Sequence, residues 1–234
     1  GGTKVVVIVG DGPDTIAGTE RIPVTTPAET LPRVIDALRD AAGDRPLEAI
    51  GIGSFGPLEL RRDHPAYGRI TTTPKPGWSG ADVLGAVRAA FDVPVAFDTD
   101  VNAALLAEVR WGAARGVANA VYLTVGTGIG GGAMVGGRLV HGLVHPEIGH
   151  VPVARHPDDP FPGRCPFHGD CLEGMAAGPA LAARFGRRAE TLDGEDLARA
   201  VDLVAHYLAS GIRSIAYPLA PERVVVCGGP GALP

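Results

Sequence analysis

Positive charge, cysteine and long apolar runs are all scarce in this 234-residue chain. Of its 21 basic residues only Lys4 and Lys75 are lysines, and 26 acidic residues leave a net charge of −5. A chain of that sign lacks the basic face that nucleic acid or an anionic membrane selects, so neither is expected as a partner. Three cysteines cannot build a disulfide scaffold in a domain this long, which points to a reducing, cytoplasmic setting. The apolar runs are strand-sized, as in Val5–Val9, far from the ~18 residues of a membrane span. Asp11 follows too soon for a signal peptide. The lysine shortage beside 34 Gly and 21 Pro reads as a GC-rich coding bias. What is present is a globular balance, 45% apolar and 20% charged, enough for a real core.

Both ends read as cut. The chain opens in Gly1-Gly2-Thr3-Lys4, a glycine turn feeding a strand, and stops at Gly228–Pro234 just after another strand, so a fragment of a longer protein is expected. Between them the first half alternates strand and helix. Lys4–Val9 reads as a strand. Thr26-Pro27-Ala28-Glu29 supplies an N-cap, a proline at N1 and an acid at N3 for a helix to about Ala41. Ala49–Gly53 and Val93–Phe97 read as buried strands, Ala81–Phe91 and Val101–Trp111 as helices, and Ser54–Gly80 as a long polar loop. In the second half Ala120–Val125 is a strand, Gly126–Gly132 a glycine loop, and Ala133–Val140 a hairpin turning at Gly136-Gly137. His141–Cys171 has no period. Helices are expected at Leu172–Phe185 and at Leu197–Ile215, before a last strand, Val224–Cys227.

Four segments carry chemistry. Gly126, Gly128 and Gly131 formally spell G-x-G-x-x-G, but a hairpin follows where a dinucleotide site needs a helix. The glycines still let backbone N–H groups converge on an anion, and Gly1–Lys4 would form a matching nest; two tight β-turns explain them equally well. Asp98-Thr99-Asp100-Val101-Asn102 sets a carboxylate between strand and helix, where it can take a proton from a hydroxyl or simply cap the helix. Cys165-Pro166-Phe167-His168-Gly169-Asp170-Cys171 reads C-x₂-H-x₂-C, three zinc-type ligands at turn spacing. His150 and His156 are the nearest candidates for a fourth, with His141 and His145 further off, and such a zinc would be structural. Cys227 is expected to be buried and inert. Glu147-Ile148-Gly149-His150 and Glu173 bracket that loop with groups suited to a polyhydroxylated ligand, or with an ordinary solvated charged surface.

In this order the segments resemble the ROK family of sugar kinases and sugar-responsive repressors, and within it the zinc-containing bacterial fructokinases. Ile52–Pro57 and Thr71–Trp78 look like that branch's small-lobe stretches, and Glu147–His150 with Cys165–Glu173 like its sugar- and zinc-binding segment. The resemblance implies an α/β, two-lobed, actin-like ATPase fold related to ribonuclease H, truncated at both ends. Its lobes would be residues 1–117 (smaller) and 118–234 (larger, incomplete, with the zinc loop). It implies ATP, Mg²⁺ and a structural Zn²⁺ as cofactors, a sugar as substrate, and a homodimer.

Carried over by position, Asp100 would be the general base, with Thr99, Asp100, Glu147, His150 and Glu173 on the sugar. His150, Cys165, His168 and Cys171 would ligate zinc. Gly2, Thr3, Lys4, Gly126, Thr127, Gly128, Gly130 and Gly131 would line the phosphates, and Gly228 and Gly229 the adenosine. Thr99 stands where the glucokinase branch has asparagine, which favours D-fructose; mannose, glucose or N-acetylmannosamine remain alternatives. A repressor would carry a basic helix-turn-helix domain, and no such segment occurs in these residues.

Overall fold

The computed structural model describes residues 2–228. The chain divides into two units, Gly1–Ala103 with His141–His145, and Ala104–Val140 with Pro146–Pro234.

In the first unit, β1 (Lys4–Gly10) and β2 (Ile16–Pro23) form an antiparallel hairpin, with Lys4 opposite Pro23 and a bulge at Val9/Gly10. The hairpin's apolar side, Val5, Val7 and Ile22, packs on Val34, Ala37 and Leu38 of α1 (Pro27–Ala42). That helix begins as its sequence demands: Thr26 Oγ1 accepts the Glu29 N–H at 3.4 Å and proline stands at N1. It stops at Gly43, whose φ of 56° favours glycine and whose N–H closes on Arg39 O. β2 had no signal in the sequence, because Ala17-Gly18-Thr19-Glu20-Arg21 gives little β-type alternation and the strand is held by its partner.

β3 (Ile50–Ser54) pairs in parallel with β4 (Val95–Thr99), and the crossover between them contains α2 (Val83–Ala90). The loop expected over residues 54–80 is irregular as read, but it sends apolar anchors into the core. Leu58, Ile70 and Trp78 are buried with Val83, Leu84 and Phe97, and the Trp78 indole N–H donates to Thr25 O at 2.7 Å. Its apolar residues are too widely spaced to show a period. The two strand pairs are separate sheets, and β1 and β3 both line a cavity of about 830 Å³. β4 leads directly into α3 (Asp100–Arg110).

The second unit holds a four-stranded sheet in the order β7-β6-β5-β8. β5 (Ala120–Val125) pairs antiparallel with β6 (Ile129–Val135) and parallel with β8 (Arg223–Gly228); β7 (Arg138–Leu139) extends β6 through the Gly136-Gly137 turn. β5 is buried along nearly its whole length, as expected of a strand covered on both faces. Helices α4 (Leu172–Ala176) and α5 (Gly178–Phe185) pack on the 26-residue α6 (Gly194–Leu219), with Leu172, Met175, Ala176 and Leu181 against Leu203, Val204 and Tyr207.

Three expectations need correction here. The glycine loop ends at Gly128, because Ile129–Val135 is already strand, and Gly130 and Gly131 pair with Thr124 and Leu123. The helix read over Leu172–Phe185 is broken at Ala177, which is extended (ψ 159°); Pro179 restarts it, and the Gly178 N–H is diverted to Gly126 O. Cys227 is exposed, since β8 is the last strand of its sheet among the described residues. No helix among the described residues is long and apolar enough to cross a membrane.

Candidate active site and metal cluster

In the first unit the segment after β4 is held by its own side chains. Thr99 is buried and its Oγ1 accepts the Asn102 N–H at 3.1 Å, capping α3. Asp98 Oδ1 accepts both the Thr99 N–H and the Asn102 side-chain amide at 2.7 Å. With both caps supplied by neighbours, Asp100 stands half-buried in the first helical turn, where the helix dipole favours a carboxylate. Asp98 Oδ2 lies 2.9 Å from His141 Nε2, and His145 Nε2 accepts the Leu58 N–H at 3.2 Å. Two histidines once candidates for metal ligation therefore dock the 141–145 segment onto the first unit instead. Gly2 and Thr3 precede β1; the Lys75 ammonium donates to Gly2 O, and Thr3 O accepts the Val24 N–H.

In the second unit, His150, Cys165, His168 and Cys171 place one donor atom each within 4.8 Å of one another. His150 Nδ1 lies 3.4 Å from Cys171 Sγ and 3.6 Å from Cys165 Sγ, and His168 Nδ1 lies 3.7 Å from Cys165 Sγ. A tetrahedral Zn²⁺ with bonds of about 2.0–2.3 Å sets neighbouring donors about 3.5 Å apart, so both the donor set and its spacing fit that ion. Burial pushes the Cys171 thiol up to about 11, and Cys165 beside it adds to the rise. His156 is not in the cluster; its Nε2 faces Asp202 at 3.4 Å.

The cluster forms without a helix or strand of its own. The three-residue turn Ile148–His150 presents His150, bridges join Pro152 to Cys171 and Cys165 to Gly169, and α4 starts immediately after Cys171. Gly149 is required by contact: a Cβ there would stand 1.7 Å from Ile129 O. The stretch between is anchored by buried Asp159. Its carboxylate receives Arg184 Nη2 at 3.0 Å, Arg184 Nε at 3.3 Å and the Tyr207 hydroxyl at 2.7 Å. Burial alone would raise this carboxyl's pKa, but the hydrogen bonds from Arg184 and Tyr207 outweigh it and hold the group below the usual range.

Gly126–Gly128 is the whole connection between β5 and β6, closed by Gly126 N–H to Gly128 O at 2.9 Å. Glu173 Oε2 accepts the Ile129 N–H at 3.0 Å, so this carboxylate stands against the glycine turn. Glu147 is exposed and its carbonyl accepts the His150 N–H. Gly126, Thr127, Cys227 and Gly228 share a cavity of about 570 Å³ with Gly178, Pro179, Arg188 and Glu190. Nothing in their spacing singles out the last four beyond the Gly-Pro helix start. Gly229 lies outside the described residues.

The parallel pair with its antiparallel hairpin, and the glycine turn opening an antiparallel extension of a mixed sheet, define a protein of the actin-like ATPase fold. The chain belongs to the ROK family, whose model matches residues 1–233. It is 44% identical over 232 residues to a fructokinase of Zymomonas mobilis (98% of this chain, 77% of that protein). It is 42% identical over 230 residues to a fructokinase of Lactococcus lactis (98% and 76%). Among solved structures it matches a ROK hexokinase from Thermus thermophilus with a TM-score of 0.74 at 34% identity, covering 98% of this chain and 79% of that one.

Proposed function

We propose that this chain is an ATP-dependent fructokinase that converts D-fructose to fructose 6-phosphate. The observation that carries the reading is the likeness to fructokinases over 98% of the chain at 42–44% identity. Asp100 is the general base. A carboxylate in the first turn of α3 accepts the proton of the attacking sugar hydroxyl as its oxygen bonds to the γ-phosphorus of ATP, and the bond from that phosphorus to the ADP oxygen breaks. Little covalent help is needed, so the residues work by position. Thr99, Glu147, His150 and Glu173 hold the sugar. By the family resemblance Gly126–Gly128, with Gly2, Thr3 and Lys4, serve the phosphates, and Gly228 the adenosine. Mg²⁺ bound with ATP would supply neutralisation of charge on the transferred group.

His150, Cys165, His168 and Cys171 hold a structural Zn²⁺. Because Nδ1 of His150 faces the two sulfurs, its Nε2 is turned away from the cluster and is the nitrogen available to a sugar hydroxyl. Two thiols in a metal cluster suit a reducing cytoplasm, and the family resemblance suits a homodimer.

The test is Asp100→Asn. Turnover should fall by about 10²–10⁴-fold while fructose affinity, measured directly by calorimetry, stays near wild type. Near-normal kcat in that variant would remove Asp100 from the reaction.

A further inference from the structure

The glycine turn is gripped from segments that adjoin the metal cluster. Ile129, the first residue beyond the turn, donates its N–H to Glu173 Oε2, while its carbonyl oxygen lies so close to Gly149 that no side chain fits there. At the other end Gly126 O accepts the Gly178 N–H at 2.8 Å. Glu173 also closes on the tip, since a Cβ on Gly128 would come within 2.7 Å of its Oε2. These contacts are tied to the cluster by chain geometry. Gly149 immediately precedes His150, and Glu173 sits two residues after Cys171, in the first turn of the helix that Cys171 caps. Displacing Cys171 or His150 must move the groups that hold the turn. A carboxylate beside a triphosphate site is unfavourable by charge alone, so its value there lies in accepting a backbone N–H.

We infer that Glu173 is a positioning residue for the nucleotide-phosphate turn, and that through it occupancy of the His/Cys cluster is coupled to nucleotide affinity. This rests on the reading of Gly126–Gly128 as a phosphate turn and extends the sugar-contacting role given to Glu173 above. Coupling of this kind is reciprocal and spans about 5–150-fold in typical proteins. The turn sits one hydrogen bond from Glu173, so an effect of about tenfold is expected.

The experiment measures Kd for MgATP by calorimetry, without sugar, on the full chain as zinc-loaded and chelator-treated protein. Metal content is read alongside. Glu173→Ala should keep its zinc and weaken MgATP about tenfold, whereas Glu173→Gln, whose amide oxygen accepts the same N–H, should stay within about threefold of wild type. Chelation should weaken MgATP about tenfold in wild type and add little in Glu173→Ala. Gly128→Ala, which drives a methyl into the carboxylate, should weaken MgATP in wild type, and it reads the same contact should Glu173→Ala fold poorly. Unchanged MgATP affinity in Glu173→Ala, equal losses in the Ala and Gln variants, or a chelation effect of the same size in wild type and Glu173→Ala would each overturn the inference. Wild type that binds MgATP but phosphorylates no hexose would defeat the fructokinase reading and leave the clamp standing. Wild type that fails to bind MgATP would defeat the clamp.

Discussion

The segment around Asp100 and the loop around Cys171 are built in opposite ways. The first has its helix start capped by hydrogen bonds reaching at most four residues along the chain, from Asp98 and Thr99 to Asn102, with His141 on Asp98 as an added distant contact. The second gathers donors 21 residues apart, from His150 to Cys171, with no helix or strand between them. A locally capped helix start survives many changes around it. A loop without helix or strand depends on distant anchors, among them the His/Cys cluster and the Asp159–Arg184–Tyr207 network.

Removing a metal ligand should have the largest effect. Cys171→Ser is expected to lose zinc, measured by metal analysis, and to lose at least about 5 kcal/mol of stability in denaturant unfolding. Chelation should lower the Tm of wild type and leave that of the variant unchanged. Asp159→Ala comes next, at about 3–5 kcal/mol, because it leaves the Arg184 guanidinium buried without its partner. It also carries a pH signature. The folded-state Asp159 carboxyl releases its proton more readily than the unfolded one, so its contribution is complete above about pH 4 and is lost as pH falls through the folded value. Wild-type Tm should therefore fall more steeply than that of Asp159→Ala on acidification below pH 4. Asn102→Ala, in the locally held segment, should cost only about 1–2 kcal/mol and leave zinc content untouched. If it destabilised as much as Asp159→Ala, the contrast between the two regions would fail. The mildest test uses the exposed Cys227, which lines the 570 Å³ cavity: MgATP should slow its alkylation severalfold.

The same contrast explains what could be read from the chain. Thr26-Pro27-Ala28-Glu29 and Asp98–Asn102 carry their structural meaning within five residues, so both helix starts were legible. So was C-x₂-H-x₂-C, because metal ligands are chemically distinctive. Spacing alone did not choose among His141, His145, His150 and His156 as a fourth donor, although the family resemblance pointed to His150, since each is settled by a distant partner: Asp98, Leu58, the two sulfurs and Asp202 respectively. β2 was invisible for want of alternation, and Cys227 was misread because a short apolar run does not say whether its strand lies at a sheet's edge. The roles of Gly149 and Gly178 were hidden too, since a glycine demanded by close approach looks like any other in a chain with 34 of them.

The most direct measurement is ADP release with fructose, mannose, glucose and N-acetylmannosamine supplied separately to the zinc-loaded chain. If the chain is a fructokinase, kcat/KM for fructose should exceed each of the others by at least about tenfold, the scale that one mismatched sugar contact sets. Equal turnover of all four, or none with any, would contradict it.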